Sequence, residues 1–218
     1  MLKLHHLDRS PFGWKVRLVL EEKKVPYTLV IPNNKSEDPA FLKLNPFRLT
    51  PVLELEDGGT IYESTVINEY LEEMYGEPAM LPKDPYGRAR IRMIEDTTDQ
   101  YLYVALREFR MAQFDYAPPF LIRKKADEVD HKLLETSRVK LHEHLTRLES
   151  ELAGRSYFGG GMFSLADAAL APPLTASMKL LSILPDKRYP LIAAWSARVV
   201  ERASYIASAP KEPLRIRD

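Results

Sequence analysis

The segment Gly76-Glu77-Pro78-Ala79-Met80-Leu81-Pro82-Lys83-Asp84-Pro85 places three prolines and one glycine within ten residues, so a regular helix cannot run through it. The break separates two stretches with different hydrophobic periodicity. Residues 1–76 read as a mixed α/β unit, 77–85 as a linker and 86–207 as an all-helical unit. Residues 208–218, with two prolines, five charged side chains and little apolar surface, read as an irregular tail.

Before the break the signals are short and varied. Leu2-Lys3-Leu4 begins a strand, and Ser10-Pro11 opens an apolar-periodic helix from Phe12 to Lys24 that Val25-Pro26 ends. Tyr27 to Ile31 reads as a second strand, Pro39 to Leu44 as one or two helical turns, and Val52 to Leu55 as a third strand. Asp57-Gly58-Gly59 marks a hairpin turn into Thr60-Ile61-Tyr62. Glu63-Ser64 then opens a helix with Val66, Ile67, Tyr70, Leu71 and Met74 on one face. The order is βαβαββα. After the break helical patterns dominate, including a charged amphipathic stretch from about Asp127 to Ala153 with Leu133, Leu134, Val139, Leu141, Leu145 and Leu148 at its apolar positions.

Composition narrows the functional classes. Lys and Arg together number 31, as do Asp and Glu, so no overall charge draws the chain to nucleic acid or an anionic membrane. With no cysteine the chain forms no disulfide, thiolate metal site or cysteine nucleophile, and any thiol chemistry must use a borrowed thiol. Five scattered histidines suggest no metal site; His142 and His144 lie two apart on a helix and face different ways. The first ten residues lack the apolar core of a signal peptide and no run is long enough to span a bilayer, which leads us to expect a cytoplasmic protein.

Four motifs invite a chemical reading, and the first two bear on chemistry. Ser10 precedes Pro11, so its hydroxyl sits where a helix presents unpaired N–H groups, either as a simple cap or as a donor to a ligand. At Thr50-Pro51 the proline abuts a central strand, as an ordinary trans loop proline or as a cis bond ending the strand. Ser164-Leu165-Ala166-Asp167 has the spacing of a capping box, a folding signal rather than a site. Gly159-Gly160-Gly161 lacks the Lys-Ser/Thr of a phosphate loop and reads as a turn into that capped helix.

Taken together, Ser10-Pro11-Phe12 with Lys15-Val16-Arg17, Asn45-Pro46 through Thr50-Pro51-Val52-Leu53, Glu63-Ser64 and Phe163-Ser164-Leu165-Ala166-Asp167 resemble the cytosolic glutathione transferases, most closely the serine-type classes such as the plant tau class and many bacterial members. The resemblance implies a thioredoxin-like first domain, an all-helical second domain and glutathione as co-substrate, with no metal. It implies that Ser10 donates a hydrogen bond to the glutathione sulfur, that Glu63 and Ser64 hold the γ-glutamyl end, that the backbone of Thr50 before Pro51 pairs with the cysteinyl unit, and that Lys35 meets the glycyl carboxylate. By the same analogy, Phe12, Trp14, Tyr101, Tyr103 and Phe109 line the electrophile pocket, and the chain forms a homodimer through the helix after Glu63 and the first long helix of the second domain.

The energetics suit one serine. Lowering a thiol pKa from about 8.5 by roughly two units takes about 2.7 kcal/mol. A hydrogen bond to a charged group contributes about 1.5–3 kcal/mol, and a helix N-terminus roughly 0.3–1. The expected activity is attack of the glutathione thiolate on a small hydrophobic electrophile. The alternatives are a glutathione-dependent isomerase, lyase or peroxidase on the same scaffold, or a non-catalytic interaction or regulatory module with the same fold.

Overall fold

The computed structural model describes residues 1–32 and 38–217. Its first unit runs β1 (Leu2–His5), α1 (Pro11–Glu22), β2 (Tyr27–Val30), α2 (Pro39–Leu44), β3 (Val52–Glu54), β4 (Thr60–Tyr62) and α3 (Ser64–Met74), the βαβαββα order expected. The strands form one mixed sheet in the order β2-β1-β3-β4, with β1 parallel to β2 and β3 antiparallel to both neighbours. Local chemistry sets the boundaries. Ser10 caps α1 ahead of Pro11, Asp38 caps α2 ahead of Pro39, and Gly58 takes a φ of 87° in the β3–β4 turn, where a side chain would be strained.

Strand register brings three loops together. His5 of β1 pairs with Val52 of β3, and Val52 pairs with Tyr62 of β4. The segment leaving β1, the Thr50-Pro51 approach to β3 and the Glu63-Ser64 exit from β4 therefore all lie at the same end of the sheet.

The break is fastened rather than loose. Glu72 accepts from the backbone N–H groups of Met80 and Leu81, each at 3.0 Å to Oε1, and pairs with Lys23 at 2.6 Å. Lys23 in turn donates to the carbonyls of Tyr75 and Pro78. Pro85, expected to close the linker, is instead the first residue of a helix, because Asp84 accepts from Gly87 N at 2.7 Å and makes a capped start.

The second unit comprises α4 (Pro85–Thr97), a π-helical segment (Thr98–Leu102), α5 (Tyr103–Gln113), α6 (His131–Glu151), α7 (Leu165–Pro172), a second π segment (Pro173–Ser177), α8 (Met178–Leu180), α9 (Pro190–Val200) and α10 (Ala203–Ser208). It is helical, with one addition that the helical reading of residues 86–207 lacked. A hairpin of β5 (Phe114–Ala117) and β6 (Phe120–Arg123) interrupts it, turning at Pro118-Pro119. The tail also departs from the irregular reading. Arg215–Arg217 forms β7, parallel to β6, with Leu121 opposite Ile216, so the tail's alternating charged and apolar residues complete a small sheet edge.

One continuous core crosses both units, from Leu4, Val16 and Leu20 to Leu170, Ile192 and Trp195. Across the boundary Arg202 grips Glu22 through two bonds of 2.7 Å, and Ser204 donates a third bond to the same carboxylate. Among the described residues, no helix is long and apolar enough to cross a membrane.

Candidate active site at the domain boundary

A cleft of about 1060 Å³ lies between the two units, walled by the loop from His6 to Phe12 with Leu29 and Ile31 on one side and by α5, the hairpin and the tail on the other. Of the three segments gathered at the sheet end, the one leaving β1 lines the cleft, while Thr50-Pro51 and Glu63-Ser64 lie outside its lining. Ser10 lines it. Its Oγ accepts from Gly13 N at 3.4 Å, a long cap bond, and among the described residues it donates its own proton to no acceptor. The hydroxyl can therefore donate to an acceptor entering the cleft while remaining a helix cap.

Glu63 and Ser64 occupy the turn from β4 into α3. Glu63 takes a φ of 68° with no capping bond from its exposed side chain, a backbone position that costs about 1–3 kcal/mol for a non-glycine residue. Ser64 is buried as the first residue of α3, where free N–H groups favour a carboxylate. The Thr50–Pro51 bond is cis, and the loop before it is braced by buried Asn45, which donates to Leu49 O and accepts from Phe47 N, both at 2.9 Å. Lys35 lies outside the described residues.

The five aromatic candidates separate. Phe12 and Tyr103 line the cleft with ring centroids 4.9 Å apart. Trp14 does not reach it: it points to the other side of α1, donates to Ser208 Oγ at 3.1 Å and packs on Tyr205 of α10. Phe109 is likewise core, on the buried α5 stripe with Ala105 and Ala112, with Arg138 over its ring. Tyr101 is exposed and stacks on His144 of α6. Helical spacing separates them: at about 100° per residue, Tyr101 lies about 200° around the axis from Tyr103, and Phe109 about 240°, so the three cannot share one face.

A polar cluster absent from the sequence reading ties the site to the second unit. The fully buried Lys15 ammonium spends its three protons on Thr65 Oγ1 at 3.0 Å, Glu95 Oε1 at 3.1 Å and Asp99 Oδ2 at 2.6 Å, joining α1, α3, α4 and the π segment. Burial pushes the Glu95 carboxyl up against the pull of Lys15. Burial and then Asp99 hold Tyr103 well above the usual phenol range, so it stays a phenol. Residues some eighty positions apart leave no local signal, although Lys15 belongs to the quoted first-helix motif.

His6, one residue past β1 and also on the cleft, has neither ring nitrogen hydrogen-bonded among the described residues. Burial, with Arg17 nearby, pushes its pKa from 6.5 down to about 4. A lowered histidine pKa means that the unfolded chain takes the proton first, so stability falls as pH drops from about 6.5 toward 4. By linkage the fold should lose about 2 kcal/mol between pH 7.5 and pH 5 through this residue. Urea titrations of parent and His6→Asn across that range measure it; an equally steep acid limb in the variant refutes the assignment.

Comparison with known proteins agrees with this architecture. The glutathione S-transferase N-terminal domain family matches residues 9–74, and the C-terminal domain family matches residues 131–198. Glutathione S-transferase U25 of Arabidopsis thaliana is 32% identical over 206 residues, covering 92% of this chain and 85% of the plant protein. The Tau class glutathione S-transferase of mango, Mangifera indica, superimposes with a TM-score of 0.80 at 25% identity, covering 97% of this chain and 93% of its own. A glutathione S-transferase from Methylobacillus flagellatus, solved with glutathione bound, superimposes with a TM-score of 0.76 at 28% identity, covering 96% of this chain and all of its own. The family matches, the relative aligned along nearly the whole chain and the shared two-unit fold together make this chain a member of the cytosolic glutathione S-transferase superfamily.

Proposed function

We propose that the chain is a glutathione transferase in which Ser10 donates its proton to the sulfur of bound glutathione and holds it as a thiolate for attack on a small hydrophobic electrophile in the cleft. The observation that carries this reading is the shared rung of His5, Val52 and Tyr62, from which the Ser10 loop, Thr50-Pro51 and Glu63-Ser64 all depart. Thr50 supplies backbone groups to the cysteinyl unit beside Pro51. The Glu63 carboxylate takes the γ-glutamyl ammonium, and the start of α3 at Ser64 takes the neighbouring carboxylate. Lys35 takes the glycyl carboxylate, and Phe12 and Tyr103 form the near wall of the electrophile pocket. Exposed Val66 and Met74 on α3 and Met93 on α4 support pairing of two copies through that face. Retention on glutathione-agarose, a thermal shift with millimolar glutathione and conjugation of 1-chloro-2,4-dinitrobenzene test the reading; a protein that is neither retained nor shifted refutes it.

Glu63 gives a sharper test, because its two roles oppose one another. Glu63→Gly relieves a positive φ and should raise stability by about 1 kcal/mol. Losing the ammonium's partner should weaken glutathione binding about tenfold, the equivalent of about 1.4 kcal/mol. Urea denaturation and titration calorimetry read the two effects separately, and unchanged affinity would move the γ-glutamyl pocket elsewhere.

A further inference from the structure

The cleft's charges do not cancel once its ion pairs are removed. Its carboxylates are Asp8, Asp99 and Glu212, and each is engaged: Asp8 by Arg17 at 3.1 Å, Asp99 by Lys15 at 2.6 Å and Glu212 by Arg9 at 3.3 Å. Arg107 and Arg110 also line the cleft, three residues apart on α5, and among the described residues neither has a carboxylate partner. Arg110 is half-buried, with its guanidinium 4.7 Å from the Tyr116 ring centroid on the hairpin. Burial, and Arg107 alongside, lower its proton affinity, as befits a cation held without a counter-ion. Lys211 of the tail adds a further cation to the lining. The remaining walls are largely apolar, including Phe12, Val104, Leu106, Leu121 and Leu181.

We infer that the electrophile carries an anionic group, a carboxylate, which Arg107 and Arg110 hold while the apolar walls take the rest of the molecule. The inference rests on the transferase reading and adds a substrate class to it. Spacing supplies a ruler. Tyr103 marks the thiol end through its contact with Phe12, and Arg107 and Arg110 follow four and seven residues later on the same face. At 1.5 Å per residue, the anion lies about 6–10 Å along α5 from the reacting end. A planar guanidinium suits a carboxylate, and the low-dielectric wall beside Arg110 strengthens the pairing.

Ethacrynic acid, whose carboxylate lies across an aryl ring from its reactive enone, and its neutral methyl ester form the test pair. The parent enzyme should show a kcat/KM for the acid at least tenfold above that for the ester, carried mainly by KM and shrinking as salt is raised. In Arg107→Gln/Arg110→Gln the acid-to-ester ratio should fall to near one, whatever the absolute rate with the ester. Equal kcat/KM for acid and ester in the parent, or an unchanged ratio in the variant, overturns the inference. Thermal shifts with the unreactive dihydro acid and its methyl ester separate this failure from failure of the transferase reading. Stabilisation by the dihydro acid in the parent, lost in the double variant, upholds the anion site even without turnover; equal shifts from dihydro acid and dihydro ester overturn it.

Discussion

Ser10→Ala should lose far more activity at pH 6.5 than at pH 9, and the ratio of the two losses is the decisive quantity. If Ser10 lowers the bound thiol from a pKa of about 8.5 to about 6.5, then at pH 6.5 about half the parent's glutathione is thiolate and about 1% of the variant's. At pH 9 the fractions are nearly equal, so the parent-to-variant rate ratio should be about forty times larger at pH 6.5 than at pH 9. That quotient is insensitive to two complications. The more basic thiolate of the variant is intrinsically the better nucleophile, and loss of the hydroxyl also disturbs positioning, but both act at either pH and cancel. Ultraviolet thiolate absorbance of the binary complex reports the same shift without turnover. Because the Ser10 cap bond is long, at 3.4 Å, the variant should remain folded, and Ser10→Thr should keep the pH profile. A pH-independent loss would reduce Ser10 to a structural cap.

The first unit was legible because its signals are local. Ser10-Pro11, Asp57-Gly58-Gly59 and Glu63-Ser64 each mark a boundary within a few residues, and the sheet order follows from linking them. The site was legible only in its anchors. Helical spacing shows that Tyr101, Tyr103 and Phe109 cannot share one face, but which of those faces meets the cleft is decided by how the helix packs against the first unit, which leaves no local mark. Tyr103 reaches the cleft while Tyr101 and Phe109 do not, and Arg107 and Arg110 pass in the sequence for ordinary solvated charges. Lys15 is the converse case. A lysine within an apolar helix looks like a surface position until the fold brings Thr65, Glu95 and Asp99 around it. The hairpin carried a readable signal in its aromatic and branched residues on either side of Pro118-Pro119, but the helical periodicity around it outweighed a pair of four-residue strands.

Asp167→Ala should be the most damaging single change to the fold, well beyond an ordinary lost cap. The sequence motif implies a capping box worth about 0.5–2 kcal/mol. The structure gives this fully buried carboxylate more to do. Oδ2 accepts from Ser164 N at 2.8 Å and Ser164 Oγ at 2.5 Å, while Oδ1 accepts from Phe158 N at 3.0 Å and Trp195 Nε1 at 2.7 Å, so one side chain ties the glycine-rich turn, α7 and α9 together. Burial pushes its pKa up and these donors pull it down. Alanine would strand three buried N–H donors at about 1–3 kcal/mol each before relaxation, for an expected loss of roughly 3–5 kcal/mol. For a chain of this length, that corresponds to a fall in melting temperature of roughly 6–20 °C. Asp167→Asn separates geometry from charge. Its oxygen can keep the Phe158 and Trp195 bonds, while its amide can donate to Ser164 Oγ but opposes Ser164 N, so it should lose about half as much. Urea unfolding followed by circular dichroism avoids the tryptophan signal that the mutation itself perturbs. Parity between asparagine and alanine would mean that the ionised charge, rather than the four-bond geometry, holds this junction, and a neutral alanine variant would refute both accounts.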